Sequence, residues 1–78
     1  MDDATLRDRV RVLLARHRHR ASDGEKLWAG PGSDSPCSAC GLVITASETE
    51  FELNFGPDAV ERLHRRCYAV WDSERHRR

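Results

Sequence analysis

Apolar and polar residues change their spacing several times along this 78-residue chain, and each change marks a different element. From Ala4 to about Arg20, Leu6, Val10, Leu13, Leu14 and His17 recur at the i, i+4, i+7, i+8, i+11 spacing of one face of an amphipathic helix. Asp2 and Asp3 suit its N-terminal end, where carboxylates accept free backbone N–H groups and meet the positive end of the dipole. Arg16, Arg18 and Arg20 suit the other end. Ala21 to Pro36 then reads as a connector. It turns at Asp23-Gly24, carries a short Leu27-Trp28 anchor, and bends through Gly30-Pro31-Gly32-Ser33-Asp34-Ser35-Pro36. An indole in so polar a stretch is expected to dock, most simply on the first helix or on the C-terminal half.

The spacing next shortens to two. Leu42-Val43-Ile44-Thr45 is followed by a polar turn at Ala46-Ser47-Glu48-Thr49. Glu50-Phe51-Glu52-Leu53-Asn54-Phe55 then alternates strictly, with Phe51, Leu53 and Phe55 on one face and Glu50, Glu52 and Asn54 on the other. Gly56-Pro57-Asp58 turns the chain again. Two readings of the residues after this turn stay open: Asp58 and Glu61 as a capping box for a helix, or Ala59–Leu63 as a returning hairpin strand, which is preferred. From His64 to about Glu74 the pattern is helical either way, and Arg75-His76-Arg77-Arg78 is a basic, frayed end.

Composition adds a constraint on stability. A chain of this length buries only about 60% of its unfolded surface, so apolar packing alone leaves little net stability and a staple is expected. With 38% apolar and 33% charged residues, a metal ion is a more natural staple than a large core. Three cysteines, no apolar leader and no membrane-length apolar run predict a soluble protein of a reducing cytoplasm. The net charge is zero but unevenly spread. Residues 1–20 carry six Arg against three Asp, residues 21–61 one Lys against eight acids, and residues 62–78 six Arg against two acids, giving +3, −7 and +4. Two basic helices neutralised by an acidic hairpin would explain this, and so would a basic face for nucleic acid or an acidic partner.

The cysteines supply the chemistry. Cys37-Ser-Ala-Cys40-Gly41 and His64-Arg-Arg-Cys67 are two pairs with the same i, i+3 spacing, and 23 residues separate Cys40 from His64. Zinc takes four thiolate or imidazole ligands in a tetrahedron, and two such pairs can provide them. A tight turn would aim Cys37 and Cys40 inward, and one helical turn would bring His64 and Cys67 to one face. Arg62, Arg65 and Arg66 could offset the charge of three thiolates on one divalent ion. Competing readings are weaker. A thioredoxin-like redox pair would open a helix in a much larger domain, and a deaminase-type site would need a preceding His-x-Glu. His17 and His19 point to different sides of a helix and do not make a ligand pair. The Gly-Pro-Gly-Ser run lacks the lysine of a phosphate-binding loop.

Cys-x2-Cys-Gly, a hairpin region and His-x2-Cys on a C-terminal helix together resemble a treble-clef zinc finger. The ligand order Cys-Cys-His-Cys is similar to the first half of a LIM domain. Residues 27–75 also look like small uncharacterised bacterial zinc-binding proteins with Trp-x-Gly-Pro-Gly before the first pair and Leu-His-Arg-Arg-Cys-Tyr/Phe-x-x-Trp around the second. The resemblance implies Cys37, Cys40, His64 and Cys67 as ligands of one Zn2+. The first helix lies outside that match, and with it the expected architecture is a small α+β, zinc-stapled fold: an N-terminal amphipathic helix (1–21), a Gly/Pro/Ser linker (22–36) and a treble-clef-like finger (37–78). A single site and a longer spacer separate the chain from LIM domains.

The expected function is a non-catalytic zinc-binding interaction module, acting on a protein partner or pairing with a second copy through the first helix. The alternative is a nucleic-acid-binding finger that uses Arg62, Arg65, Arg66, Arg75, Arg77 and Arg78. No Ser/His/Asp set or paired catalytic carboxylates point to an enzyme, a small-molecule substrate or a membrane partner. A redox or zinc-level sensor, whose thiolates lose the metal on oxidation, is a further class.

Overall fold

The computed structural model describes residues 1–17, 26–56 and 59–76. Over these the chain runs α1 (Asp3–Arg16), β1 (Lys26–Pro31), β2 (Ser35–Pro36), β3 (Val43–Ile44), β4 (Thr49–Asn54), β5 (Val60–His64) and α2 (Arg65–Arg75). The expected Arg18–Arg20 helix end with His19, the Asp23-Gly24 turn, Pro57-Asp58, and Arg77-Arg78 lie outside the described residues.

The cap of α1 is the one its sequence predicts. The Asp2 carboxylate accepts from the Thr5 backbone N–H at 2.8 Å, and Asp3 occupies the first turn. The C-terminal end comes earlier than expected. His17 is the C-cap: its backbone N–H donates to the Leu14 carbonyl, and its side chain turns inward instead of extending the helix. Leu6, Val10 and Leu13 are at most 2% exposed, so the apolar stripe is spent within the chain, where α1 packs against α2. Ion pairs frame that contact. Glu74 on α2 receives Arg11 Nε at 2.7 Å and Arg7 Nε at 3.4 Å, and Arg66 pairs with Asp3.

Strands β1, β4 and β5 form one antiparallel sheet in the order β1-β4-β5, with Phe51 opposite Ala29 on one side and Leu63 on the other. The preferred reading of residues 59–63 as a returning strand therefore holds, with α2 starting at Arg65. Residues 26–31, read from the sequence as part of a linker, form a strand. Its residues are mostly exposed on both faces, so no apolar alternation announces it, and it is held by pairing with β4. Trp28 is 55% exposed, with its ring folded over Gly30 on the same face of the strand. The apolar run at Leu42–Thr45 shortens to β3, which pairs with β2 and not with β4. Both edges of β4 are already occupied by β1 and β5.

The alternation of β4 survives, but its acidic side is not all solvated. Glu50 is 3% exposed because the loop after β1 closes over it: Ser33 Oγ donates at 2.7 Å, the Ser33 N–H at 3.2 Å, and Arg62 Nε lies 3.5 Å away. The opposite face supplies the core, where Leu53 and Leu63 meet Leu6, Val10, Leu13, Ile44 and Trp71. Phe51 stacks on Tyr68 with centroids 4.6 Å apart. Each such aliphatic side chain contributes about 1.5–3 kcal/mol on burial, and few of them are available.

Candidate metal centre

Local hydrogen bonds build the first ligand pair. Cys37 follows β2, and its N–H donates to the Leu42 carbonyl at 2.8 Å, closing the β2–β3 hairpin beneath the Cys37–Cys40 turn. Gly41 donates to the Cys37 carbonyl at 3.0 Å with φ +82°, a left-handed conformation that favours glycine. The turn points the Ala39 and Cys40 N–H groups at Cys37 Sγ, at 3.4 and 3.5 Å. Backbone dipoles thus face a thiolate before any cation is considered.

The second pair sits where a strand becomes a helix. His64 is the last residue of β5 and the N-cap of α2, with extended φ −62° and ψ 158°, and Cys67 is the third residue of the helix. A side chain at the N-cap folds toward the third helical residue, so His64 and Cys67 converge although only one of them is helical. The α2 N-terminus, with no acidic residue in its first turn, presents its positive dipole end to the sulfurs.

Together the two pairs place one ligand atom each from Cys37, Cys40, His64 and Cys67 within 4.8 Å of one another. Cys37 and Cys67 are buried, while Cys40 and His64 are partly exposed. Cys40 Sγ lies 3.3 Å from His64 Nδ1. Two sulfurs about 2.3 Å from a common tetrahedral ion are roughly 3.8 Å apart, and a sulfur and an imidazole nitrogen roughly 3.5 Å, so the group has the size of a single-ion site. The ligand nitrogen is also determined. His64 Nε2 faces the Val43 carbonyl at 3.2 Å and Glu48 Oε1 at 3.5 Å, leaving Nδ1 turned to the sulfurs.

The electrostatics are those of a cluster suited to a cation. A hydrogen bond from Cys67 is the main force that pulls Cys37 down to about 4. Burial opposes it, and the N–H groups of Cys40, His64 and Ala39 assist it. Cys67 is pushed up, because its proton is shared with Cys37, because it is buried, and because Cys37 and Cys40 would repel a third thiolate. Burial works against a charged His64, yet its pKa rises through the bond to Cys37, the charges of Cys37 and Glu48, and the Val43 carbonyl. Protons satisfy such a cluster one thiolate at a time, and a divalent cation can hold all three thiolates at once. The donor set, three thiols and an imidazole, fits a metal ion of that kind.

Several residues around the site were not marked by the sequence. Glu48 looks like one more polar turn residue, yet its Oε1 accepts from the Thr45 N–H at 2.9 Å and Thr45 Oγ1 at 3.1 Å and faces His64. Ser38 and Glu61 also join the two halves of the site. The Thr45–Glu48 bonds are local, but no local pattern reveals that Glu48 faces His64 or that Ser38 meets Glu61 and Arg62, because those contacts join segments far apart in sequence. Two of the three arginines expected beside the thiolates have other partners: Arg62 pairs with Glu50 and Glu52, and Arg66 with Asp3. Arg65 and Arg66 line a cleft of about 420 Å³ that opens on Cys40, His64 and Cys67. No helix among the described residues is long and apolar enough to cross a membrane.

The group of four donors that could hold a metal ion and the α+β frame stand on this chain's own geometry, since no protein-family model matches it and neither a curated protein nor a solved structure is significantly similar.

Proposed function

We propose that the protein is a non-catalytic zinc-binding interaction module of treble-clef type, in which one structural Zn2+ on Cys37, Cys40, His64 and Cys67 ties the hairpin turn to the start of α2. The observation that carries this reading is the convergence of four soft or borderline donors from those two elements within 4.8 Å. Zinc supplies the cross-link when bound, and the protein residues position it and keep their thiolates apart from competing protons. All four donors belong to the ligand set, which favours a structural over a catalytic role.

A protein partner is favoured over nucleic acid by how the surface charges are used. Arg7, Arg11, Arg16, Arg62, Arg66 and Arg75 each lie within 4.0 Å of an internal carboxylate, so these guanidiniums are already engaged. Leu27, Trp28, Leu42 and Val43 are meanwhile 47–68% exposed. Purified protein should carry one zinc per chain by elemental analysis, and Cys40→Ser should lose it together with most of its thermal stability. A metal-free wild type that is fully folded would end the proposal. Salt-steep binding to a nucleic acid duplex in a gel-shift assay would move the function to the nucleic-acid reading.

A further inference from the structure

A hydrogen-bonded cluster outside the four ligands joins the two halves of the site. Ser38 lies between Cys37 and Cys40, and Arg62 lies two residues before His64. The Ser38 N–H donates to the Arg62 carbonyl at 2.7 Å, and the Arg62 N–H donates back to Ser38 Oγ at 3.1 Å. Ser38 Oγ in turn donates to Glu61 Oε1 at 3.1 Å. The other carboxylate oxygen of Glu61, Oε2, meets His17 Nε2 at 2.8 Å and Arg16 Nη1 at 3.7 Å. His17, 8% exposed, is stacked on Phe55 with centroids 4.2 Å apart and planes 8° apart. A buried imidazole and a largely buried carboxylate thus end a chain of contacts that begins between two metal ligands.

From this geometry we propose that Ser38 and Glu61 are positioning residues for the metal centre, and that His17 couples α1 to metal retention through them. The proposal rests on the metal-binding reading above. The reciprocal Ser38–Arg62 bonds fix how far the first ligand pair stands from the second. Glu61 orients the Ser38 hydroxyl so that its lone pairs face the Arg62 N–H. His17 and Arg16 hold the Glu61 carboxylate from the other side, so α1 braces the ligand spacing through Glu61. Hydrogen-bond partners of this kind change metal affinity by about 10–100-fold when removed.

Release of metal from the loaded full-length protein to a competing chelator, and the visible spectrum of its Co2+ form, test this without relying on apoprotein folding. Ser38→Ala and Glu61→Ala should each speed release by roughly tenfold and alter the Co2+ ligand-field bands. The double variant should be little worse than either single one, because both cut the same path. His17→Phe, which keeps a ring against Phe55 but loses the bond to Glu61, should shift release in the same direction, and His17→Gln should restore part of the loss. Val10→Ala, a core change on the same face of α1 about two turns before His17 and outside the hydrogen-bonded chain, should lower thermal stability and leave the Co2+ bands in place. Wild-type bands and release rates in both Ser38→Ala and Glu61→Ala would overturn the proposal, as would equal band changes in Val10→Ala. If Glu61→Ala does not fold, the exposed Ser38→Ala alone decides between these outcomes. A wild type that takes up no Co2+ would instead refute the metal reading itself.

Discussion

Replacing Leu13 by alanine tests whether α1 is a structural part of the fold or an arm attached to it. Leu13 is 2% exposed and lies in one core with Leu53, Leu63 and Trp71. Truncating a buried leucine to alanine costs about 2–5 kcal/mol, through lost transfer energy and the cavity left behind. A domain of this size has only about 4–12 kcal/mol in total, at 0.05–0.15 kcal/mol per residue. The change therefore removes a large share of the stability. At about 4–8 °C per kcal/mol, Tm should fall on the order of 8–40 °C. Val12 is the control. It is 64% exposed on the opposite side of α1, and Val12→Ala should stay within about 0.5 kcal/mol of wild type. Thermal unfolding would be followed by far-UV circular dichroism for the helices and by Trp fluorescence for the core, at one fixed free zinc concentration, because metal binding itself raises Tm by mass action. Equal small shifts for the two variants would refute the packing of α1 on α2. So would a Leu13→Ala protein that loses α1 signal while its Trp71 environment melts at the wild-type temperature.

Three further outcomes rest on particular contacts. Glu48→Gln should weaken zinc binding by about tenfold in a chelator competition, since it discharges the carboxylate facing His64 Nε2; an unchanged Kd would show that the Val43 carbonyl alone orients the ring. At Gly32 an added Cβ would lie 2.0 Å from the Thr45 carbonyl oxygen, whereas at Gly30 it would meet only the movable Trp28 ring. Gly32→Ala should therefore destabilise by about 1–3 kcal/mol in chemical denaturation and Gly30→Ala by clearly less, with equal losses refuting the distinction. The Asp2 carboxyl is held below its ordinary value by its hydrogen bonds to the Thr5 side chain and backbone N–H. Its support for α1 is complete above the ordinary carboxylate value and is lost as pH falls through the depressed one. Amide exchange in the first turn of α1 should speed up over that acid range in wild type and not in Asp2→Asn, which keeps an N-cap acceptor that does not titrate; identical pH profiles would exclude the cap as the cause.

How much of this protein was legible in its residues depends on the range of the interaction concerned. The α1 stripe, its Asp2 cap, the alternation of β4, the returning strand at residues 60–64 and the two i, i+3 ligand pairs are set by neighbours a few positions apart, and local spacing is enough to read them. Strand β1 was not legible, because a mostly exposed strand carries no alternating signal and is held by hydrogen bonds to residues more than 15 positions away. The pairing of β3 with β2 depended on which edges of β4 were already filled. The burial of Glu50 and the early end of α1 at His17 depended likewise on a loop and a carboxylate brought in from elsewhere. Sequence alone determined which four side chains can share a metal ion, since thiol and imidazole chemistry at that spacing has few other uses. Only the tertiary structure decided which imidazole nitrogen faces the sulfurs, which residues brace the ligand turn, and that most basic residues of α1 and α2 are paired with acids of the same chain. Those are questions of distance and direction between remote segments, and a linear pattern does not encode them.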